Sequence, residues 1–548
     1  MNVEIELCNS RYPWNHGTFG SCRCWWKGTI FFRNEMIGIE RLVDLVISGR
    51  LHLEGHENEL KYFLKSLNGS YAFILRSPDR TLCVVDRVRS IPLFTTRTGD
   101  LFTVSDDAYY LRECSRAPFN EDRGTEFLFA GYVTGSATLF EGISQFQAGE
   151  YLVIDESNGH CSKNRYFHYL HGDYSGERVE QALEHLDAVM MHVTDRLVET
   201  TVKQGKTIIV PLSGGLDSRT IVALLKRSGI EDVICFSYGK RGNAEAKISK
   251  NIAKTLGYQW YFAEYTGRRW YDCYRSDEMR EYERYAANLS SLPVFQDYLA
   301  IRVLEKEGKI PEHAVFVPGH TGDMLSGRHI PGNLGNIPHD YDRFVTGTLR
   351  RHYSLQRLDG KNEEIPDKIR ERIHELYGHL PINDADSLAN VIEYFNFNER
   401  QAKFIVNSVR AYEFLGYEWR LPLWDSELMD FFLRMPLSFR LNQFLYRTYC
   451  CKKLFAGDLE QLSHIPCTAL GKTTVLNPIR QIIYRKIPYY PQISRRLSLK
   501  YKILTEYHSH PLNWYSIMSR KDFQDGFSGY ENINSYLVRN YLKNLKIE

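Results

Sequence analysis

Short apolar runs alternate with polar turns along the first 170 residues of the chain. Such runs predict strands where they are rich in β-branched or aromatic residues and bounded by Gly, Asn, Asp or Ser. The clearest lie at 30–32, 71–75, 81–85 and 151–154. A mainly polar stretch, 162–178, then leads to a helical pattern over 179–202. This change predicts a first domain of residues 1–170.

An α/β rhythm follows. Apolar runs suited to buried parallel strands occupy 207–212, 232–238 and 260–263, and helical spacing occupies 219–228 and 243–256. Strand–helix–strand units of this kind form a parallel sheet with right-handed crossovers. From about Glu281 the pattern is mainly helical. We therefore predict a second domain over 171–470 and a basic, mainly helical extension over 471–548.

Composition adds constraints but names no ligand. The chain has 548 residues, 43% hydrophobic and 25% charged, with a net charge of +2. That charge gives no overall bias toward nucleic acid. No apolar run reaches the roughly 18–20 residues that span a bilayer, and the N-terminus lacks a signal pattern. The eleven cysteines show no paired CxxC motif. We expect a cytoplasmic protein with reduced thiols and no nucleic-acid partner.

The segment Ser213-Gly214-Gly215-Leu216-Asp217-Ser218, here called the SGGLDS loop, joins a predicted strand to a predicted helix. Two glycines let the backbone approach a phosphate, and the N–H groups and dipole of the helix favour an anion. Asp217 would repel phosphate unless it holds a bridging Mg²⁺. The alternative is a plain turn with a capping side chain. The loop is not a Walker loop. We predict binding of ATP and Mg²⁺.

The SGGLDS loop resembles the PP-loop of the ATP pyrophosphatases, which include asparagine, GMP and NAD synthetases and tRNA-modifying enzymes. Segments 243–246, 317–323 and 417–425 resemble, in order and spacing, further motifs of the asparagine-synthetase-like branch. The resemblance implies an AMP-forming ligase with Asp217 and Asp323 as Mg²⁺ ligands. It also implies a nucleotide pocket made by Leu212, Ser213, Gly214, Gly215, Leu216, Asp217, Ser218, Ser237 and Gly319.

Two departures from that family concern the second loop. His320 stands where the family usually has glutamate, and Met324 stands where it has another acid. His320 could serve as an acid/base group, since its ordinary pKa is near neutral, or could only hydrogen-bond the loop. Lys472 resembles the family lysine that stabilises the pyrophosphate-forming transition state. Its alternative is an ordinary exposed lysine.

The first domain resembles class II glutamine amidotransferases. Leu67–Phe73 resembles their LNGxFAF strand, and Asp86–Phe94 resembles their RDxxGxxPLYY segment. The resemblance implies an Ntn-type αββα sandwich. Glutaminase chemistry there needs an N-terminal cysteine, whereas removal of Met1 would expose Asn2. We therefore expect a degenerate domain that acts as a scaffold or docking surface.

Together these features predict a ligase that adenylates a small-molecule, peptide or sugar carboxylate and joins it to an amine from a source other than glutamine. β-Lactam synthetases, lasso-peptide cyclases and asparagine-synthase-related proteins of polysaccharide gene clusters are similar in kind. One alternative is a glutamine- or ammonia-dependent amidotransferase acting on a surface-polysaccharide sugar acid. Another transfers sulfur or nitrogen to a tRNA base. A third is a non-catalytic nucleotide-binding protein.

The stretch 461–505 holds eight Lys or Arg and no Asp or Glu. A run of like charge is often a solvated helix face. It could also contact an acidic substrate, an anionic lipid surface or a protein partner through 472–502. We also expect a homodimer as the form of assembly.

Overall fold

The computed structural model describes residues 2–48, 57–356, 366–466, 507–508, 510–526 and 532–546. Lys472 and the whole of 472–502 lie outside these residues. Within the described ranges, no helix is both long enough and apolar enough to span a bilayer.

Two sheets form the N-terminal part of the molecule. Their strands are β1 Asn2–Glu6, β2 Asn15–Phe19, β3 Cys22–Phe32, β4 Glu35–Met36, β5 Leu67–Arg76, β6 Arg80–Val85, β7 Phe94–Thr98, β8 Leu101–Ser105, β9 Ile143–Gln145, β10 Glu150–Asp155 and β11 His160–Arg165. One sheet has the order β1-β8-β7-β9, and the other has β11-β10-β6-β5-β3-β2 with β4 beside β3. All four strands predicted here are found, each as part of a longer strand.

Helices cover the outer face of each N-terminal sheet. They are α1 Ile39–Ser48, α2 Glu57–Ser66, α3 Ala108–Ser115 and α4 Glu121–Ala130. Helices α1 and α2 contact the seven-stranded sheet, whereas α3 contacts the four-stranded sheet. The run 71–75 in β5 is wholly buried, as expected for a strand covered on both faces. The predicted αββα sandwich is confirmed.

The second sheet region is parallel throughout. Its strands are β12 Thr207–Pro211, β13 Val233–Gly239, β14 Gln259–Glu264, β15 Ala314–Phe316 and β16 Glu418–Trp419. Their order is β14-β13-β12-β15-β16, so the chain winds both ways from β12. The first three strands match the predicted apolar runs. The short strands β15 and β16 were missed because the sequence from Glu281 onward reads as helical.

Helices pack around and beyond this sheet. They are α5 Val179–Glu199, α6 Leu216–Arg227, α7 Ala244–Leu256, α8 Gly267–Tyr274, α9 Asp277–Ala287, α10 Gln296–Lys306, α11 Gly322–Leu325, α12 Tyr341–His352, α13 Asp367–Tyr377, α14 Ala385–Asn396, α15 Arg410–Phe414, α16 Ser426–Leu433, α17 Leu437–Arg440, α18 Phe444–Tyr449, α19 Gln461–His464, α20 Arg520–Gly526 and α21 Ile533–Leu545. A π-helical segment, Phe397–Ile405, continues α14. The predicted PP-loop-type parallel-sheet domain with a helical C-terminal part is confirmed.

Polar contacts join the two sheet regions. Arg196 of α5 binds Asp425 through its Nε atom, 2.8 Å from Oδ2. The Asn68 amide of β5 donates to Asp425 Oδ1 at 3.0 Å. Arg87, just after β6, pairs with Asp430 of α16 at 2.7 Å. The carboxylate of Asp425 therefore connects α5 with β5.

Candidate functional site

The carboxyl ends of β12, β13 and β15 lie side by side at one edge of the parallel sheet. Pro211 pairs in register with Phe236, and Ile209 pairs with Phe316. The SGGLDS loop leaves β12 at this edge and enters α6 at Leu216, with Gly215 as the residue before the helix. Open α/β sheets bind ligands at such an edge.

Hydrogen bonds from backbone N–H groups to two serine hydroxyls shape the SGGLDS loop. Ser213 Oγ accepts from the Gly215 N–H at 3.1 Å, and Ser218 Oγ accepts from the Ser213 N–H at 3.1 Å. No side chain caps the start of α6. The first N–H groups of a helix have no intrahelical acceptor, and their dipole favours an anion. The beginning of α6 can therefore bind phosphate.

The two predicted metal ligands meet at this edge. The Asp323 N–H donates to Asp217 Oδ2 at 2.9 Å. Asp217 Oδ1 is buried and accepts no hydrogen bond from the described residues, although the Tyr446 hydroxyl, which donates to Thr220 at 3.0 Å, lies beside the carboxylate. Burial, followed by the negative charge of Asp323, raises the pKa of Asp217 well above its ordinary value. Burial also raises the pKa of Asp323, against the opposing effect of nearby arginines. A cation placed here would relieve this repulsion.

The residues present fit Mg²⁺ held together with a nucleotide. In the described ranges, no group of three or more His, Cys, Asp or Glu is arranged to hold a metal ion. Magnesium in phosphate-binding sites takes one or two carboxylates and completes its shell with phosphate oxygens and water. Asp217 and Asp323 supply that number. The Oδ1 atom of Asp217, which accepts no hydrogen bond from the described residues, can serve as a metal ligand.

Close backbone packing seats the second loop against the first. A Cβ atom on Gly319 would lie 2.5 Å from the Ser218 nitrogen, and one on Gly322 would lie 2.8 Å from Asp217 Oδ1. A side chain at Gly319 would push against the Ser218 backbone, and one at Gly322 would displace the side chains of Asp217 and Tyr446. Between them, Thr321 has φ 90°, a strained conformation for a β-branched residue. The two loops thus hold the carboxylates together.

The structure brings the other predicted pocket residues to the same edge. The Leu212 N–H donates to Phe236 O at 2.8 Å, which fixes the loop against β13. Ser237 follows in β13 and is buried, as is Leu212. Gly319 lies against Ser218, as described above. Met324 is fully buried and packs in the core.

His320 lines a cavity of about 270 Å³ beside the second loop. Gln296, Arg400 and Ser408 contribute polar groups to its wall, which is otherwise mostly aromatic and aliphatic. The Ser408 hydroxyl lies 3.4 Å from the His320 ring nitrogens. Burial lowers the pKa of His320 below its ordinary value, with Asp297 opposing the shift. The imidazole is therefore neutral near pH 7 and able to accept a proton.

A cationic cluster next to Asp323 was missed in the sequence. It consists of Arg328, Arg351 of α12 and Arg400 of the π-helical segment, all of which lower the pKa of Asp323. Arg351 donates to His329 O at 2.7 Å. Burial, followed by Arg400 and Arg328, lowers the pKa of Arg351. These arginines come from separate parts of the chain, so no local sequence pattern indicates the cluster.

Arg219, in the first turns of α6, was also missed. Its guanidinium is 1% exposed and donates to Ile465 O at 2.7 Å and to Pro466 O at 3.0 Å. It therefore ties the chain ending at Pro466 to the helix that carries Asp217. A buried arginine inside an apolar helix pattern was the signal that could have revealed it.

Comparisons with known proteins agree with this geometry. The site and sheet define a nucleotide-dependent synthetase type of domain. Residues 191–461, just under half of the chain, match the model of the family "Asparagine synthase". This segment carries the chain's similarity to the asparagine synthase family.

Two curated relatives match shorter segments. The chain is 28% identical over 167 residues to the carboxyethyl-arginine beta-lactam-synthase of Streptomyces clavuligerus, covering 30% of this chain and 29% of the relative. It is 46% identical over 55 residues to the 7-cyano-7-deazaguanine synthase of Desulfatibacillum aliphaticivorans, covering 10% of this chain and 24% of the relative. Thus the chain spans under a third of either relative's length.

Two solved structures overlap weakly with the molecule. The NH3-dependent NAD synthetase of Campylobacter jejuni is 12% identical with a TM-score of 0.21, covering 40% of this chain and 94% of that one. The glutamine PRPP amidotransferase of B. subtilis is 11% identical with a TM-score of 0.18, covering 56% and 64%. At these scores neither overlap adds to the fold described above.

Proposed function

We propose that this protein is an ATP- and Mg²⁺-dependent ligase that adenylates a substrate carboxylate and joins it to an amine from a source other than glutamine. The observation that carries the proposal is the meeting of Asp217 and Asp323 at the uncapped start of α6. The asparagine synthase match and the similarity to a beta-lactam-synthase support it.

In the activation step, a carboxylate oxygen attacks the α-phosphorus of ATP, the bond to the β-phosphate breaks, and pyrophosphate leaves. The N–H groups at the start of α6 bind phosphate oxygens, and Leu212, Ser237 and Gly319 line the nucleoside side. Mg²⁺, when bound, neutralises phosphate charge. Asp217 and Asp323 would hold it.

The cationic cluster supports a carboxylate substrate. Arg400 lines the 270 Å³ cavity, and its charge also acts on Asp323. It has no hydrogen bond or ion pair within the described part of the chain, so it is available to an incoming anion. A guanidinium binds carboxylate oxygens through two parallel N–H donors. We propose that Arg400 orients the acid next to the nucleotide.

His320 is our candidate for the proton acceptor in the second step. The amine nitrogen attacks the acyl carbon, AMP leaves, and the nitrogen must lose a proton. A neutral imidazole on the wall of the cavity can take that proton. Lys472 remains a proposed stabiliser of the pyrophosphate-forming transition state. Its position lies outside the described residues, six positions after the Pro466 that Arg219 anchors (472 − 466).

The N-terminal region offers no support for glutamine hydrolysis. Strand β1 begins at Asn2, and the first cysteine, Cys8, follows the far end of that strand. Cys8 is an exposed residue, but partial desolvation of its thiol, followed by the charges of Asp106 and Asp107, raises its pKa to about 11. A thiol of this kind carries little thiolate near neutral pH and is a poor nucleophile. We therefore propose free ammonia or an organic amine as the nitrogen donor.

The test is pyrophosphate release from ATP and Mg²⁺ with a panel of amino-acid, N-carboxyalkyl and sugar acids, with and without amines. Asp217→Asn should reduce release at least about 100-fold, because the carboxylate that holds the cation is lost. The matched control is Asp100→Asn, an identical change at an exposed turn. Equal release by wild type and Asp217→Asn would contradict the proposal. So would tight ATP binding without release on any acid.

A further inference from the structure

A second cavity lies between the N-terminal sheets and the helical part of the synthetase-type domain. Its volume is about 210 Å³, which is room for several water molecules or one small organic anion. Strand β3, the turn after β6 and the end of β8 supply one wall. Helices α9 and α15 supply the other. It does not include the SGGLDS loop or Asp323.

The cavity is rich in positive charge. Its lining holds five cationic residues, against three acidic residues. Four of the cations have acidic partners: Arg11 with Glu281 at 3.0 Å, Lys27 with Asp106 at 3.8 Å, Arg284 with Glu113 at 2.9 Å, and Arg410 with Glu413 at 2.6 Å. The third acidic residue, Asp107, caps the start of α3. The fifth cation, Arg89, has no such partner.

Arg89 is buried, and its guanidinium makes no hydrogen bond to the described residues. It is 4% exposed, and its Nε atom has no partner. It forms no ion pair within the residues that the structure describes. The Phe94 ring lies 5.7 Å away and offers a cation–π contact, which satisfies no N–H group. Burial, followed by the charge of Arg410, lowers the pKa of Arg89 to about 9, against the opposing charges of Glu150, Glu399 and Asp86.

The backbone at Arg89 adds a second cost. Its φ is 56°, in the left-handed region that glycine adopts freely and arginine does not. In the RDxxGxxPLYY pattern that this segment resembles, the position of Arg89 is the glycine. This chain thus places a strained, desolvated cation where an uncharged residue would fold more easily. Such combinations occur where a ligand completes the site.

Lys27 of β3 is a second cation on the cavity wall with weak pairing. It is 3% exposed, and its Nζ atom is 3.8 Å from Asp106 Oδ2. Asp106 already accepts short hydrogen bonds from the Cys8 N–H and from Trp14 Nε1, each at 2.8 Å. Burial lowers the pKa of Lys27 to about 8. Its ammonium group lies over the rings of Tyr12 and Trp14, 5.0 and 5.1 Å from their centroids, and has no hydrogen-bond acceptor among the described residues.

We propose that this cavity binds a small oxyanion, whose carboxylate or phosphate oxygens pair with Arg89 and with Lys27. A guanidinium fork and an ammonium group are the donors that recognise such oxygens. The ligand enters past Arg11 and Glu281, whose side chains are 47% and 61% exposed. Both cations lie on the wall formed by the N-terminal sheets, so its binding stabilises this part of the folded protein.

The test measures thermal unfolding of the full chain with inorganic phosphate in one arm and succinate in the other, at constant ionic strength set with sodium chloride. Wild type should gain about 1–3 °C in Tm at roughly ten times the Kd. Arg89→Gly should lose this gain while folding normally, since glycine suits φ 56°. Arg89→Asn is the second variant, because Asn tolerates the same backbone without the charge.

A gain in the phosphate arm alone identifies a phosphate ligand, and a gain in the succinate arm alone identifies a carboxylate. The matched control is Lys203→Gln, an exposed cation on another surface, which should keep the full gain. Equal gains in wild type and both Arg89 variants would overturn the proposal, and so would no gain with either anion. The assay contains no ATP, so its outcome is independent of ligase activity.

Discussion

Two buried carboxylates, Glu399 and Asp217, have opposite hydrogen-bond environments in two regions of the molecule. Glu399 Oε2 accepts from Lys403 Nζ at 2.5 Å and from the Gly135 N–H at 3.1 Å, and its Oε1 accepts from Tyr377. Asp217 Oδ1 accepts no hydrogen bond from the described residues, the nearby Tyr446 hydroxyl donates to Thr220, and the neighbour Asp323 is another acid. The difference suggests two roles: the Glu399 carboxylate stabilises the fold, and the Asp217 carboxylate binds a ligand.

Loss of Lys403 from the hydrogen-bonded cluster around Glu399 should have the largest effect on stability. Lys403 is 0% exposed and also donates to the carbonyls of Val133 and Gly135. Lys403→Met would leave the Glu399 carboxylate buried without its cation. We expect a loss of about 3–5 kcal/mol in the free energy of unfolding, measured by urea denaturation.

The matched control has the same spacing on the surface. Lys203 and Glu199 also form an i,i+4 pair, with side chains 64% and 40% exposed. Lys203→Met should leave the urea midpoint close to that of wild type, because exposed ion pairs contribute little to stability. Adding Glu399→Leu to Lys403→Met should restore part of the loss, since both buried charges are then gone. A Lys403→Met protein as stable as wild type would mean that this cluster is not structural.

At Asp217, in contrast, removal of the charge should not lower the free energy of unfolding. Asp217→Asn removes one of two neighbouring buried acids, so the free energy of unfolding should stay the same or rise while pyrophosphate release is lost. A protein that loses stability and release together would place Asp217 with Glu399 as a structural carboxylate. The same urea titration and the release assay distinguish these outcomes.

Prediction from sequence succeeded where the signal is local. The SGGLDS loop, its flanking strand and helix, and the apolar runs of β5, β6 and β13 were all found at their places. Contacts between distant segments could not be found this way. Strand β1 pairs with β8 about a hundred positions later, and neither stands out as an apolar run. One local feature of the sequence marks Arg89: it occupies the glycine position of the RDxxGxxPLYY pattern.

Buried histidines near the candidate site predict a pH effect of intermediate size. His352 of α12 is 8% exposed, and its Nδ1 atom has no partner. Burial, followed by Arg400 and Arg351, lowers its pKa well below the ordinary value. Between pH 6.5 and 5 the unfolded chain takes up this proton and the folded chain does not. Stability is therefore lost as the pH falls, by up to about 2 kcal/mol for this histidine.

The comparison that isolates this effect is His352→Gln against wild type. Unfolding free energies measured at pH 7 and pH 5 should differ less in the variant, because the group that binds the extra proton in the unfolded state is absent. The exposed His16→Gln serves as the control and should behave as wild type. An unchanged difference in His352→Gln would show that His352 is protonated in the folded protein.

The smallest predicted effect concerns Arg400, a cation of the candidate site that has no hydrogen bond or ion pair in the described part of the chain. Arg400→Gln should raise the KM for the carboxylic acid that gives the fastest pyrophosphate release by about tenfold, since one charged hydrogen-bonding contact is lost. The KM for ATP should change little, because the phosphates bind at α6. Arg268→Gln, an exposed arginine with a side chain 91% exposed, is the matched control. A tenfold rise in the KM for ATP instead would assign Arg400 to the nucleotide. An unchanged KM for both substrates would make it, like Lys403, part of the structure.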